Sequence, residues 1–405
     1  MSSVARLLIY SHDSFGLGHL RRCRAIAHHL VERYRQLSIL ILTGSPIIGS
    51  FDFKTRVDFV RIPGVIKLRS GNYTPLSLHL DIEQTLAMRS SIIKHTAEIF
   101  DPHLFLVDKE PLGLRGEVGD TLEMLKDRGT RLILGLRDVM DEPKLLQKEW
   151  QRKNVYPALN DLYDEIWIYG LPEIFDPVSE LPNMQHLAEK MTFTGYLRRQ
   201  LPKAPPDAHE SELPNEPYLL VTTGGGGDGE DLIDWVLSAY ENHPDMPHPA
   251  LLVFGPFMKQ DLRLAFQERV AKLAKVHAIT FEARFERLVD RAIGVVAMGG
   301  YNTFCEILSF GKPALIVPRT KPRQEQLLRS KRAEALGLVC VLADDGKRDP
   351  KVMAAELRAL PDWRPNEDVD MTGFLGGLDK IAELVRSWLP VRTREATNGK
   401  LQRTA

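Results

Sequence analysis

Short apolar runs alternate with longer amphipathic stretches along most of this 405-residue chain. In the first half the apolar runs fall at residues 7–11, 37–42, 57–62, 104–107, 131–136 and 165–169. Helical spacing marks 20–35, 77–100, 116–128 and 144–154 between them. Short runs without polar alternation suit strands buried on both faces, and helices between such strands predict a parallel, doubly wound sheet. Residues 201–216 break the pattern: Pro202, Pro205, Pro206 and Pro214 stand among acidic residues with little to bury, as in an interdomain linker. The pattern then restarts, with strands expected at 218–222, 251–254, 279–281, 294–297 and 313–317. Helices are expected at 232–240, 261–273, 302–310 and 324–336, then a last amphipathic helix at 376–388. The expected organisation is α/β: one Rossmann-like domain over 1–200, a linker over 201–216, a second such domain over 217–390, and a disordered polar tail over 391–405.

Composition narrows the class. The chain is too long for one ordinary core, which supports two domains facing across a cleft. A formal net charge of -1 argues against general nucleic-acid binding. Cys23, Cys305 and Cys340 are too few and too far apart to signal a disulfide framework or a metal site. No apolar leader precedes the first strand and no run is long enough to span a membrane, so a cytoplasmic setting is expected. Arg21, Arg22 and Arg24 offer a basic face to an anionic acceptor or to lipid headgroups at the inner face of the membrane; a solvated helix face is an equal alternative.

Candidate chemistry gathers at the turns after the strands. Ser14-Phe15-Gly16-Leu17-Gly18-His19 and Thr223-Gly224-Gly225-Gly226-Gly227-Asp228-Gly229 each join a strand to a helix. Such turns present backbone N–H groups and a helix N-terminus to an anion. Gly16 and Gly18 keep the backbone close to a ligand, and His19 falls at the sheet edge where open α/β folds place their sites. Its imidazole titrates near neutrality and suits a general base, while the plainer role is a hydrogen bond to its own turn. Four consecutive glycines cost conformational entropy, which a nest for a diphosphate would justify; a flexible hinge is the alternative. Asp228, Glu230 and Asp231 then suit the start of a helix.

Further along, Gly299 and Gly300 open a helix with Asn302, on which Thr303 and Glu306 share a face. A carboxylate one turn into such a helix can accept from both hydroxyls of a ribose, or can serve as a capping-box residue. Arg319, Lys321 and Arg323 suit phosphate charge, and Gln324 and Gln326 suit sugar hydroxyls, against the alternative of a solvated loop. Asp108 and Asp138 follow strands of the first domain, where either would orient His19 or bind acceptor, or form an ordinary ion pair. Asp368-Val369-Asp370 has metal-binding DxD spacing but no strand to present it, so no metal and no cofactor are expected.

Gly299, Gly300, Thr303, Glu306, Gly311, Pro313, Pro318 and Gln326 together resemble the C-terminal domain of glycosyltransferase family 28, over roughly residues 222–338. The resemblance implies the GT-B fold and metal-independent transfer of a hexose or N-acetylhexosamine from a nucleotide diphosphate sugar, with UDP favoured. The acceptor would be a glycan, a lipid or a small molecule. It further implies that Gly224 to Gly227 approach the diphosphate, that Glu306 holds the ribose, that Gln326 touches the donor sugar, and that His19 stands on the acceptor side. The chain departs from the family in a shorter first glycine run, in Arg22 where the family has proline, and in the missing basic residue near Met298. Gly16-Leu17-Gly18-His19 with Arg22 and Cys23 resembles instead the UDP-sugar hydrolases of pseudaminic acid synthesis, whose histidine activates water. Hydrolysis of a nucleotide sugar therefore stands as one alternative, and non-catalytic binding of a nucleotide sugar as another.

Overall fold

The computed structural model describes residues 4–13, 17–67, 72–176, 182–202, 213–214, 216–321 and 323–389. Gly16, most of the linker and the tail at 391–405 lie outside the described residues.

Two parallel sheets form the chain's framework. The first has seven strands in the order β3-β2-β1-β6-β7-β8-β9. These are β1 (Ala5–Ser11), β2 (Leu37–Thr43), β3 (Val57–Arg61), β6 (Leu104–Asp108), β7 (Arg131–Arg137), β8 (Glu165–Tyr169) and β9 (Met191–Phe193). The second has six, in the order β12-β11-β10-β13-β14-β15. These are β10 (Leu219–Thr222), β11 (Ala250–Val253), β12 (Val276–Ile279), β13 (Gly294–Ala297), β14 (Ala314–Ile316) and β15 (Cys340–Val341). The central strands are buried on both faces, which is why their sequences read as continuous apolar runs. In each sheet the strand order reverses beside the first strand, between β1 and β6 and between β10 and β13. Helices of adjoining units diverge to opposite faces at such a switch point and leave a crevice at the strands' carboxyl ends. The two crevices face each other across the cleft.

Some elements escaped the sequence reading. A hairpin of β4 (Val65–Lys67) and β5 (Tyr73–Pro75) occupies a stretch to which no element was assigned. Strands of two or three residues such as β9 and β15 are too short to show a period. Residues 279–281 were expected as a strand, but β12 pairs with β11 from Val276 to Ile279.

The last helix also corrects the expected domain division. Residues 376–388 were assigned to the second domain by their place in the chain. The helix Gly377–Arg386 instead packs on the first, where the Tyr34 hydroxyl donates to the Ala382 carbonyl at 2.6 Å and Trp388 stacks on Trp167. The chain thus crosses between domains twice. The crossings are tied by a 2.8 Å hydrogen bond from Tyr196 N–H to the Phe374 carbonyl and by stacking of the two rings at 5.0 Å.

Candidate active site

The first switch point builds a histidine–carboxylate pair. β1 runs into the helix α1 (Gly18–Arg33), which puts His19 in the first helical turn and Arg22 one turn on. The neighbouring β6 ends on Asp108, which is fully buried. His19 Nδ1 lies 2.5 Å from Asp108 Oδ2, and Arg22 grips the same carboxylate with Nε at 2.8 Å and Nη2 at 2.7 Å. Burial alone would raise the Asp108 pKa, but Arg22 and His19 hold it well below the usual carboxylate range. Asp108 therefore stays ionised and accepts from Nδ1–H, which leaves Nε2 as the ring nitrogen able to take a proton. Burial pulls the His19 pKa down to about 4 against the pull of Asp108, with Arg22 and Lys109 adding to the decrease. The imidazole is thus neutral at physiological pH and in the form a base requires.

A polar layer fixes the start of α1. Leu17 at the N-cap offers no side-chain acceptor, but Asp13 Oδ1 accepts from Leu20 N–H at 3.2 Å. This satisfies one of the N–H groups that a helix start leaves unpaired. Asp13 also accepts from the Thr43 hydroxyl at 2.5 Å. The His12 ring meets the His19 ring edge-on, 5.6 Å between centroids.

The second switch point supplies the facing wall. Gly224 and Gly225 line a cavity of about 230 Å³ together with Thr223, Gly300, Asn302, Thr303 and Gln326 of the second domain and Gly18 and His19 of the first. The four glycines divide the work. Gly224 has φ +69° and open space where a side chain would stand, whereas a Cβ on Gly226 would lie 2.3 Å from the Phe254 carbonyl oxygen. Gly226 therefore secures the loop against Gly255, and Gly227 is exposed outside the cavity wall. Gly299 also serves the framework: φ is +78°, a Cβ would meet Ile316 and Ser330 at 2.8 Å, and its carbonyl accepts from Arg329.

Three expected site residues are engaged elsewhere. Asp138 was expected to orient His19 or bind acceptor, but both its oxygens accept from Arg329 at 2.6 Å and one also accepts from the Tyr196 hydroxyl. Arg323 was expected at the phosphates, but it pairs with Glu149 of the first domain at 2.9 Å and is not part of the cavity wall. Glu306 is 0% exposed, pairs with Arg21 of α1 and leaves Oε2 without a partner. Burial pushes its pKa up to about 7 despite Arg21, whose charge is shared with Glu286 at 3.2 Å.

Among the cations on the cavity wall are Arg319, which was expected to suit phosphate charge, and Arg137 at the cleft edge. Arg137 ends β7 on the cavity wall, with Nε buried and unpartnered; burial is the main cause pulling its pKa down to about 10. Arg319 lines the opposite side, paired with Asp228 at 2.7 Å and Glu325 at 2.8 Å. The signal for Arg137 was present, since it directly follows a buried strand of the cleft edge. Among the described residues no group of three or more His, Cys, Asp or Glu gathers as metal ligands, and Asp370 of the DxD stretch accepts from Thr372 N–H. No helix among them is long and apolar enough to cross a membrane.

Residues 219–364 match the glycosyltransferase family 28 C-terminal domain. No curated protein matches the chain by sequence. Among solved structures the chain is similar to the glycotransferase of kitacinnamycin, with 15% identity, TM-score 0.62 and coverage of 95% of this chain and 99% of that one. It is also similar to MurG of Acinetobacter baumannii, with 11% identity, TM-score 0.55 and coverage of 95% and 99%. UDP-GlcNAc 2-epimerase from Neisseria meningitidis, bound to UDP-GlcNAc, aligns with 13% identity, TM-score 0.57 and the same coverage. The fold is GT-B, two Rossmann-like domains facing across a cleft, and the second domain is of the family 28 type.

Proposed function

We propose that this chain, a GT-B protein carrying a glycosyltransferase family 28 C-terminal domain, moves a hexose or N-acetylhexosamine from a nucleotide diphosphate sugar to an acceptor hydroxyl without a metal ion. The observation that carries this reading is one cavity bounded by His19 on the first domain and by Gly224, Gly225, Thr303 and Gln326 on the second. In the proposed mechanism His19 Nε2 takes the proton of the incoming hydroxyl, with Asp108 holding the tautomer and stabilising the imidazolium that forms. The N–H groups at Gly224 and Gly225 and the cation of Arg137 offset the charge that develops on the departing nucleoside diphosphate. Gln326 binds the donor sugar. Glu306 receives the ribose hydroxyls once Arg21 withdraws from it. A UDP-sugar is the favoured donor, supported by UDP-GlcNAc in the epimerase of the same fold. A cytoplasmic setting is proposed on the three free cysteines.

A second reading, hydrolysis of the nucleotide sugar, is supported by Arg22. It stands where family 28 has proline, is 1% exposed and grips Asp108 with two nitrogens, so it belongs to the histidine–carboxylate pair. The deciding experiment is calorimetry against UDP, GDP, TDP and their sugars, followed by turnover with and without acceptor. Absence of binding to any of these nucleotides at millimolar concentration would overturn both readings.

A further inference from the structure

A second cavity, of about 290 Å³, lies behind α1 between the interdomain crossing at 198–202 and the helix Phe285–Arg291. Among the described residues Arg21 is the one that borders both this cavity and the glycine-loop cavity. Its wall carries more cationic than anionic side chains, and the carboxylates are already engaged. Glu32 takes Lys54, Glu286 takes Arg21, and Asp52 takes Arg284 at 3.0 Å. Three guanidiniums on the wall, those of Arg24, Arg198 and Arg199, therefore have no carboxylate within ion-pair distance among the described residues. Arg24 donates only to the Asp52 backbone carbonyl, at 2.9 Å, and lies over the Phe51 ring. Arg199 is 6% exposed; its Nη2 donates to Asn302 Oδ1 at 2.7 Å, its Nη1 lies 3.5 Å from the Arg21 carbonyl, and its Nε is buried with no partner.

A buried cation whose hydrogen bonds go only to neutral acceptors is costly, and a fork of guanidinium N–H groups matches the oxygens of a phosphate. We propose that this cavity is a binding site, separate from the glycine-loop cavity, for a phosphate or a small phosphomonoester held by Arg24, Arg198 and Arg199. Burial, with Arg21 and Arg199 adding to it, pulls the Arg24 pKa below the usual range; a bound anion would reverse that pull. Because Arg199 also holds Asn302, which in turn donates to the Gly18 carbonyl at 2.9 Å, the site sits on the contacts that join the two domains.

The test uses the whole protein and does not depend on the donor reading. Crystals soaked in tungstate should show the anion beside Arg24 and Arg199. Calorimetry with inorganic phosphate, and separately with glycerol phosphate, should show binding that Arg24→Gln weakens by at least about tenfold. Arg198→Gln, at an exposed position, should weaken it as well, and remains informative if Arg24→Gln fails to fold. Stronger binding of glycerol phosphate than of phosphate would identify a phosphomonoester as the occupant; the reverse order would identify free phosphate. The proposal is overturned if tungstate appears only in the glycine-loop cavity, if neither anion binds at millimolar concentration, or if both variants bind like the parent.

Discussion

Arg21 of the first domain donates to Glu306 of the second, and the same guanidinium also meets Glu286. The contact joins the helix that carries His19 to the helix proposed to hold the ribose, so donor binding and the position of the base act on one ion pair. Glu306→Ala should weaken nucleoside diphosphate binding by about 1–3 kcal/mol, the cost of a lost charged hydrogen-bond partner. Arg21→Ala removes a competitor for that carboxylate and should shift affinity in the opposite direction. Calorimetry on both variants is the check; unchanged affinity in Glu306→Ala would remove this residue from the donor site.

The same pair predicts a pH dependence. Burial raises Glu306 from 4.5 to about 7, so the folded state favours the protonated carboxyl. The stability this group contributes is full below about 4.5 and is lost as pH rises through about 7. Relative to Glu306→Gln, the parent protein should therefore lose stability as pH rises over this window. Thermal melts of both proteins across the range would show it, and a constant difference would contradict it.

His19 should govern turnover and not donor affinity. Removing a general base costs about 10²–10⁴-fold in rate, so His19→Ala should lower kcat by that much while nucleotide binding, made on the other domain, is retained. Asp108→Asn should also lower kcat, because the amide can present an N–H to Nδ1 and favour the wrong tautomer. With His19 held down to about 4, kcat/KM should stay level from neutrality to about pH 5 and fall as pH drops through about 4. Circular dichroism across the acid limb would separate this titration from unfolding.

The fold was largely legible because both sheets bury their central strands on both faces, and continuous apolar runs followed by glycine turns survive in a single sequence. The positions of His19 and the glycine loop were legible as well, since strand order places the turns after β1 and β10 at switch points. What remained hidden depends on contacts between domains. Asp138 and Arg323 look like cleft residues from their places after strands or in a basic loop, yet each finds a partner on the other domain. Arg22 looks like part of a solvated basic face, and only the end of β6 shows why it is buried. Sequence spacing reports a residue's own element and is silent on what packs over it.

Asp138 and Arg329 are both fully buried, and Nε and Nη2 of Arg329 each sit 2.6 Å from a carboxylate oxygen. Removing one partner of such a pair leaves the other charge uncompensated, at a cost of about 3–5 kcal/mol. Asp138→Ala should destabilise the protein by that amount in denaturant unfolding, and Asp138→Leu combined with Arg329→Met should cost less than the single change. A single change costing under about 1 kcal/mol would mean that the pair is solvated in solution.

Activity should survive chelation. The charge of a departing diphosphate can be met by the N–H groups at Gly224 and Gly225 with Arg137, which line the same cavity. Arg137→Ala should therefore lower kcat more than it weakens donor binding, if the cation acts on charge that grows in the transition state. Loss of turnover in EDTA, restored by magnesium or manganese, would show that a metal does this work.

Transfer and hydrolysis differ in what reaches His19 Nε2. An acceptor hydroxyl must be held beside the histidine, whereas water needs no binding surface. Behind His19 stand further polar groups of the first domain, His12 edge-on to its ring and Lys109, the latter held down to about 8 chiefly by burial. Purified protein given nucleotide sugar alone should release free sugar slowly, and a suitable glycan, lipid or small-molecule acceptor should raise the rate with formation of a new glycoside. Fast release of free sugar that no acceptor alters would instead assign the chain to hydrolysis, with Arg22 and Asp108 holding the histidine for water. His19→Ala must suppress whichever product is seen, since both routes need the same proton removed. Turnover unchanged in that variant would exclude both roles for His19 and return the choice of base to the neighbouring polar groups of the first domain.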